Sequence, residues 1–282
     1  MDILINLSKN KFEDIKKVCP NFVQNRYDIL YGKNFELFEI KYNEQVYYVP
    51  FHIEFITCKL GLWLVEIQKE AVEEIIKFIF NKYKFVFQIK IISSVNEYKN
   101  AYKTTDYWIN LPDNEDEYIM KLTGKQRYNI KNHIKRLKED FGEYTVKKYE
   151  KDQIPPEIIK KYFKLKKQTR GKSYFITPKS YLKKYAVTCV YALYIKGTAE
   201  AMAIVSENNN NLYLENVTYN PEYSKYSIGV TICFEMILDA IRNRKNQIFF
   251  GSSEKDDYKS RMCNASKETF SFKAKRKDYL KK

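Results

Sequence analysis

The chain of 282 residues is poor in glycine (8), proline (7), histidine (2), tryptophan (2) and cysteine (5). The cysteines, Cys19, Cys58, Cys189, Cys233 and Cys263, are odd in number and scattered. No two stand at CxxC spacing, and only His52 and His133 could join them as ligands. That argues against a disulfide framework and against a metal site, and it fits a reducing, cytoplasmic setting. No apolar run approaches the roughly 18 residues of a membrane span. The start, MDILINLSKN, has no basic region followed by an apolar stretch, so no secretory signal is expected.

Lysine and arginine are abundant: 50 against 35 acids, a formal charge of +15. An anionic partner (nucleic acid, a phosphorylated cofactor or an acidic lipid surface) would use such a surface. A chain rich in Lys, Asn, Ile and Tyr, as AT-rich genomes encode, would show the same excess, so location matters more than the total. Between Lys121 and Lys138 there are seven Lys or Arg and no acid. Apolar residues make up 44%, enough for a real core.

The fold class expected is α/β. FELFEIKY and VYYVPFHIEF, joined by NEQ, alternate as a hairpin does. KEAVEEIIKFIFNKY carries helical spacing. FVFQIKIIS is a buried strand by its β-branched and aromatic content, and TTDYWINLP is another. In LTGKQRYNIKNHIKRLKEDFG, Ile130, Ile134, Leu137 and Phe141 share one helical face, and Gly142 suits the end. Strand YTVKKYE follows, then helix PPEIIKKYFKLKKQTRG with proline at its start, and a helix TPKSYLKKYAV capped by Thr177. VYALYI and AEAMAIVS form a hairpin around Lys196-Gly197. Then come strand LYLENVTY, a loop, a helix from about Ser227 to Arg244, strand QIFFGS, a short helix DDYKSRM and strand ETFSFKAK. The first half echoes the second in outline: hairpin, helix, strand. That predicts two related lobes, 1–114 and 115–282, joined by the basic helix.

The stretch YNPEYSKYSIGVTICFEMILDAI, residues 219–241, raises a question: why one scarce glycine there? Asn220 and Pro221 break the preceding strand. The following helix is expected to bury Val230, Phe234, Ile237, Leu238 and Ile241. Its first turn has unpartnered amides and roughly half a positive charge from the dipole. Gly229 would let a phosphate approach, with Ser224 and Ser227 donating hydroxyls. The competing reading is an ordinary helix start where Gly229 allows close packing.

The order of elements resembles the GNAT acyltransferase fold. YNPEYSKYSIG followed by IFFGSSEKDDYKSR, with KQRYNIKNHIKRLK before them, resembles the CelD/BioF2-like acetyltransferases of polysaccharide biosynthesis. The likeness covers about residues 115–275; the first 110 residues match in outline the cofactor-free lobe of FemABX-like double-GNAT proteins. Two positions depart from that pattern: Asn220 stands where aspartate is common, and Ile228 where proline is common. The usual phosphate motif is reduced to Lys225-Tyr226-Ser227-Ile228-Gly229-Val230.

The resemblance implies two GNAT-like lobes, each a mixed, mostly antiparallel sheet flanked by helices. It implies an acetyl-CoA (acyl-CoA) donor held by Ser224 to Val230, a carbonyl-polarising backbone N–H near Asn216, Val217 or Thr218, and an amine acceptor such as an amino sugar of a nucleotide sugar or glycan precursor. Glu215, inside a strand of apolar and aromatic residues, is the candidate base; a surface glutamate paired with a lysine is the competing reading. Tyr258 could protonate the leaving thiolate, Lys259 could stabilise negative charge, and Asp257 could bind the amine or act as alternative base. Arg127 and Lys131 on the basic helix, with Tyr219, are candidates for acceptor binding; a solvated helix face would look the same. His52 and Glu54, two apart on one strand, fit the polar face of a half-buried strand, and His133 is expected to be ordinary. Two alternatives remain at this level: a FemABX-like transfer from aminoacyl-tRNA to a cell-wall precursor, and a non-enzymatic module binding nucleic acid or another anion through residues 121–138.

Overall fold

The computed structural model describes residues 2–5, 36–42, 44–62, 67–93, 98, 101–170, 187–208, 210–253 and 258–280. The chain forms two compact units, residues 1–106 with 267–282, and residues 107–266. Each is a mixed α/β structure built on a mostly antiparallel sheet.

In the first unit the strands are β1 (Asp2–Ile5), β2 (Glu36–Tyr42), β3 (Gln45–Glu54), β4 (Thr57–Leu62) and β5 (Gln88–Ser93). Helix α1 (Lys69–Lys82) connects β4 to β5. β1 to β4 pair antiparallel in sequence order. β4 and β5 then run parallel, which requires a crossover of the kind α1 supplies. α1 buries Ala71, Val72, Ile75, Ile76, Ile79 and Phe80, an i, i+3/i+4 stripe against the sheet. The outer edge of β5 is covered by β12 (Ala265–Lys275), antiparallel from Phe270↔Ser93 to Lys275↔Gln88. The short helix α7 (Arg276–Tyr279) follows, and Arg276 Nη1 donates to the carbonyls of Tyr83 (3.3 Å) and Val86 (3.1 Å).

The second unit repeats this order. β6 (Tyr102–Asn110), whose first five residues belong to the first unit, leads into α2 (Glu115–Lys121) and α3 (Gly124–Phe141). β7 (Thr145–Glu150), α4 (Pro156–Arg170), β8 (Cys189–Ile195), β9 (Thr198–Asn208) and β10 (Asn211–Tyr219) follow. Then come α5 (Ile228–Arg242), β11 (Gln247–Ser253) and α6 (Tyr258–Met262). β7 to β10 are antiparallel neighbours, and β10 and β11 run parallel around α5. The β8–β9 turn places Lys196 and Gly197 at φ 48° and 79°, the two positive angles of a type I′ hairpin.

Two caps set the helices before β7. The Asn114 side chain accepts from Glu117 N–H, and Thr123 and Gln126 form a reciprocal capping box. On α3, Leu137 is fully buried while Ile130, Ile134 and Phe141 are half-buried. One face of the sheet packs on α5, α2 and α3. The other packs on α4 through Ile158, Ile159, Tyr162, Phe163 and Leu165. Of the helix expected at TPKSYLKKYAV, residues 177–186 lie outside the described residues, and Val187 is buried and not helical.

Candidate active site

The site begins with two irregularities in β10. Its ladder with β9 slips between Leu214 and Asn216, so Glu215 is the extra residue of a bulge. Its parallel pairing with β11 covers only Asn211, Leu212 and Tyr213. Beyond Tyr213 the two strands part, and a crevice of about 550 Å³ opens between them. Leu214, Glu215, Asn216, Val217 and Tyr219 form one wall, and Phe250, Ser252 and Ser253 the other. In the first unit the corresponding strands stay zipped over Thr57↔Gln88 to Leu62↔Ser93, so the two sheets differ where the second one opens.

The crevice is closed at its end by the 219–230 segment. Asn220 fixes its entry. Its amide nitrogen donates to Glu200 Oε2 (3.0 Å), its side-chain oxygen accepts from Glu222 N–H (3.2 Å), and its own N–H donates to the Glu200 carbonyl (2.8 Å). Glu200 is buried and also receives Lys161 Nζ (3.2 Å). An aspartate at position 220 would set a second carboxylate against Glu200. Asparagine is therefore the residue this loop requires.

A 3₁₀ turn, Pro221–Tyr226, ends at Ser227 in the left-handed region (φ 50°, ψ 40°). A right-handed residue followed by a left-handed one turns successive amides into one concavity, the anion-binding nest. α5 starts there with no side-chain cap; Val230 and Thr231 N–H both turn back to the Ser227 carbonyl. The amides of Ile228 and Gly229 make no backbone hydrogen bond in this turn. Gly229 carries a further constraint: a Cβ there would lie 2.9 Å from Tyr219 Cδ1 and 3.3 Å from Cε1. The ring of Tyr219 thus rests on the bare α-carbon, so close packing and an open helix start occur together.

The structure brings Glu215, Asn216, Val217, Tyr219, Ser224, Ser227, Gly229, Val230, Tyr258 and Lys259 to one crevice. Lys259 Nζ donates to the Ser252 carbonyl (2.8 Å), and Tyr258 packs edge-on to Phe250. The side chains of Thr218, Lys225, Tyr226 and Ile228 lie elsewhere. Tyr226 is buried against Phe141 and donates its hydroxyl to Asp140. Lys225 sits over the Tyr226 ring, and the hydrogen bond to Tyr226 holds its ammonium above the usual lysine range. Ile228 is fully buried.

Arg127 donates to the carbonyls of Met120 (3.1 Å) and Leu122 (2.6 Å), tying α2 to α3. Lys131 is exposed on α3. Asp257 lies outside the described residues. His52 is half-buried, and Glu54 pairs with Lys59 at 2.6 Å, which holds its carboxyl below the usual range.

The stripe expected on the 227–244 helix is rotated. The buried residues are Ile228, Thr231, Ile232, Cys233, Met236, Ile237, Ala240 and Ile241. Val230, Phe234 and Leu238 are half-buried instead, because α2 and α3 cover that flank, with Tyr118 near Phe234. A helix apolar on both sides offers no single phase to periodicity. Burial pushes the Cys233 and Cys189 thiols up to about 12, so neither is a nucleophile at neutral pH.

One neighbouring feature was not foreseen. A smaller cavity of about 150 Å³, lined by Leu122, Ile130, His133, Arg261 and Met262, shares Ser227, Val230 and Tyr258 with the crevice. Burial, with Arg136 adding to it, lowers the His133 pKa. Among the described residues no group of His, Cys, Asp and Glu could hold a metal ion, and no helix is long and apolar enough to cross a membrane.

Splayed parallel strands, a bulge and a helix start without a side-chain cap together shape this α/β crevice. Residues 124–260 match the acetyltransferase (GNAT) domain family. This match to a GNAT-type acetyltransferase domain supports an acyltransferase. Among solved structures, FemX matches with 12% identity over 99% of each chain, at a TM-score of 0.61. A tandem GNAT protein from the clavulanic acid biosynthesis pathway matches with 8% identity over 98% of each chain, at 0.53. L-PGS from Bacillus licheniformis matches with 10% identity over 94% of this chain and 91% of its own, at 0.58. These likenesses are likenesses of fold. No curated protein matches the chain.

Proposed function

We propose that the protein is an N-acyltransferase that moves an acyl group, acetyl in the simplest case, from acyl-coenzyme A to an amine on an amino sugar of a nucleotide sugar or surface-glycan precursor. The observation that carries the donor half is the open turn at 227–229, set at the end of the β10–β11 crevice. Its amides, with the Ser224 and Ser227 hydroxyls, fit a diphosphate, and the crevice volume lies within the usual range of ligand pockets. The acceptor class rests on the resemblance of residues 115–275 and on a charge of +15 suited to a phosphorylated substrate.

When bound, the donor supplies a thioester carbonyl open to attack by an amine. In this reading the Gly229 N–H, with the Ser224 and Ser227 hydroxyls, holds the diphosphate. The part of β10 that has left β11, Asn216 to Thr218, offers its backbone to the carbonyl oxygen as charge develops there. Glu215, placed in the crevice by the bulge, takes the proton of the amine. Tyr258 gives a proton to the departing sulfur, and Lys259 steadies negative charge beside it. Asp257 is kept as an alternative base. Tyr219 walls the acceptor's approach, and Arg127 and Lys131 of α3, outside the crevice lining, are kept as candidate contacts for a phosphorylated acceptor.

Isothermal titration with acetyl-CoA tests this directly. Stoichiometric binding is expected, lost when Gly229 is made bulky. Absence of binding at millimolar donor overturns the reading. Salt-sensitive binding of tRNA in its place would assign the donor to the aminoacyl-tRNA class instead.

A further inference from the structure

The first unit carries a feature that neither the crevice nor the core explains. The β3–β4 hairpin turns at Phe55 and Ile56, which are 89% and 55% exposed. Phe55 adopts a positive φ of 53°. That position of a two-residue turn favours glycine, asparagine or aspartate, and a bulky aromatic there is an outlier. So the residue is disfavoured twice, by conformation and by exposure. Beside it stand Phe85 and Phe87, 53% and 57% exposed. They are fixed to the turn because Phe87 N–H donates to the Ile56 carbonyl at 2.9 Å.

The surroundings are basic. Lys82 and Lys84 are exposed on the segment leading to Phe85. Lys275 and Lys277 are exposed on either side of Arg276, whose N–H donates to the Phe87 carbonyl at 3.0 Å. Of the nearby acids, Glu54 is paired with Lys59 at 2.6 Å, and Asp278 is exposed beside Lys277. Projecting aromatic tips ringed by lysines match the two-part chemistry of an interfacial anchor, apolar insertion plus attraction to anionic headgroups. A local rule broken without structural gain marks a functional position.

We propose that this end of the first unit, Phe55, Ile56, Phe85 and Phe87 within a ring of Lys82, Lys84, Lys275 and Lys277, is a docking surface for an anionic lipid bilayer. Phenylalanines at loop tips enter the headgroup layer, and the lysines contact lipid phosphates around them.

Co-sedimentation of the full chain with phosphatidylcholine vesicles, with and without phosphatidylglycerol, tests it. Binding is expected only with phosphatidylglycerol, weakening as salt rises. Phe55→Gly combined with Phe87→Ser should cut the partition coefficient about tenfold or more. Phe55→Gly alone should keep or raise the melting temperature, because it relieves the turn; a residue needed for packing would lower it. Lys84→Glu with Lys277→Glu should cost at least about fivefold per site. No binding to phosphatidylglycerol vesicles at low salt overturns the proposal. So does binding that the phenylalanine variants leave intact. Concentration-dependent self-association that those variants abolish, without lipid binding, assigns the surface to a second copy of the chain and overturns it as well.

Discussion

Replacing Gly229 by alanine adds one methyl group at the place where the proposed donor site and the packing of Tyr219 coincide. That methyl would lie 2.9, 3.3 and 3.6 Å from three atoms of the Tyr219 ring. The first distance is shorter than carbon atoms tolerate, so the ring must move. Tyr219 is 37% exposed and lines the crevice, so it has room to swing, and it swings at the expense of the wall. Overpacking costs about 1–3 kcal/mol, whereas alanine gains up to about 1 kcal/mol over glycine in a helix. The fold should therefore lose no more than about 2 kcal/mol, a shift of a few degrees in melting temperature for a unit of this size. Donor binding should suffer more, because the amide turn and its aromatic wall are disturbed together. A tenfold weakening corresponds to about 1.4 kcal/mol, and at least that is expected for acetyl-CoA by titration calorimetry. Gly229→Val should abolish binding. In Tyr219→Ala the methyl has free space, so Gly229→Ala in that background should add less than about 0.5 kcal/mol, a non-additivity that reports direct contact. Wild-type donor affinity in Gly229→Ala would refute the reasoning.

Asn220→Asp should destabilise the protein by about 1–3 kcal/mol, because it faces the buried Glu200 carboxylate at the 3.0 Å now bridged by an amide N–H. The loss should shrink as pH falls and one of the two acids takes up a proton, measured by denaturant melts across acid pH. Tyr258→Phe should lower kcat by about 10²-fold or more while leaving the donor Kd unchanged, if the hydroxyl is the proton donor of the proposed reaction; Glu215→Gln should do the same and flatten the pH profile of kcat/KM. His133 has a folded pKa below its ordinary 6.5, so the folded state binds fewer protons than the unfolded one, and stability falls as pH drops below that value. The His133→Gln variant should lose part of that slope in the same melts.

The regular elements were legible because local pattern and tertiary role agreed in them. α1 buries a helical stripe, α3 turns its predicted face inward with Leu137 buried and Ile130, Ile134 and Phe141 half-buried, and Lys196-Gly197 makes the turn that its φ angles demand. Three things were not legible. α2 is a short helix whose seven residues bury only Tyr118, too little for periodicity to show. The phase of α5 was misread because α2 and α3 bury its second side. The return of β12 to the first unit depends on which edge it pairs with, and strand composition does not encode that. Within the site, SxG at 227–229 signalled the open turn, since glycine scarcity made Gly229 informative. The contact with Tyr219, ten residues earlier, had no sequence signature. Neither had the bulge at Glu215 or the parting of β10 from β11, which arise from pairing. Asn220 was marked as a departure, and only the position of Glu200 explains it. The turn at Phe55 passed unnoticed because the expected strand ended on Phe55 itself and β4 beyond it was not read.

The place of β12 also bears on how the chain is made. On a ribosome, β1 to β5 emerge long before the strand that covers the outer edge of β5, because the whole second unit is translated in between. Until then β5 presents unpaired amides and carbonyls, an open template for another nascent chain. Speed of synthesis and shielding by chaperones should therefore govern yield in this protein more than in one whose halves are contiguous. A nonsense mutation just before residue 265 would leave the second unit nearly whole and the first one open.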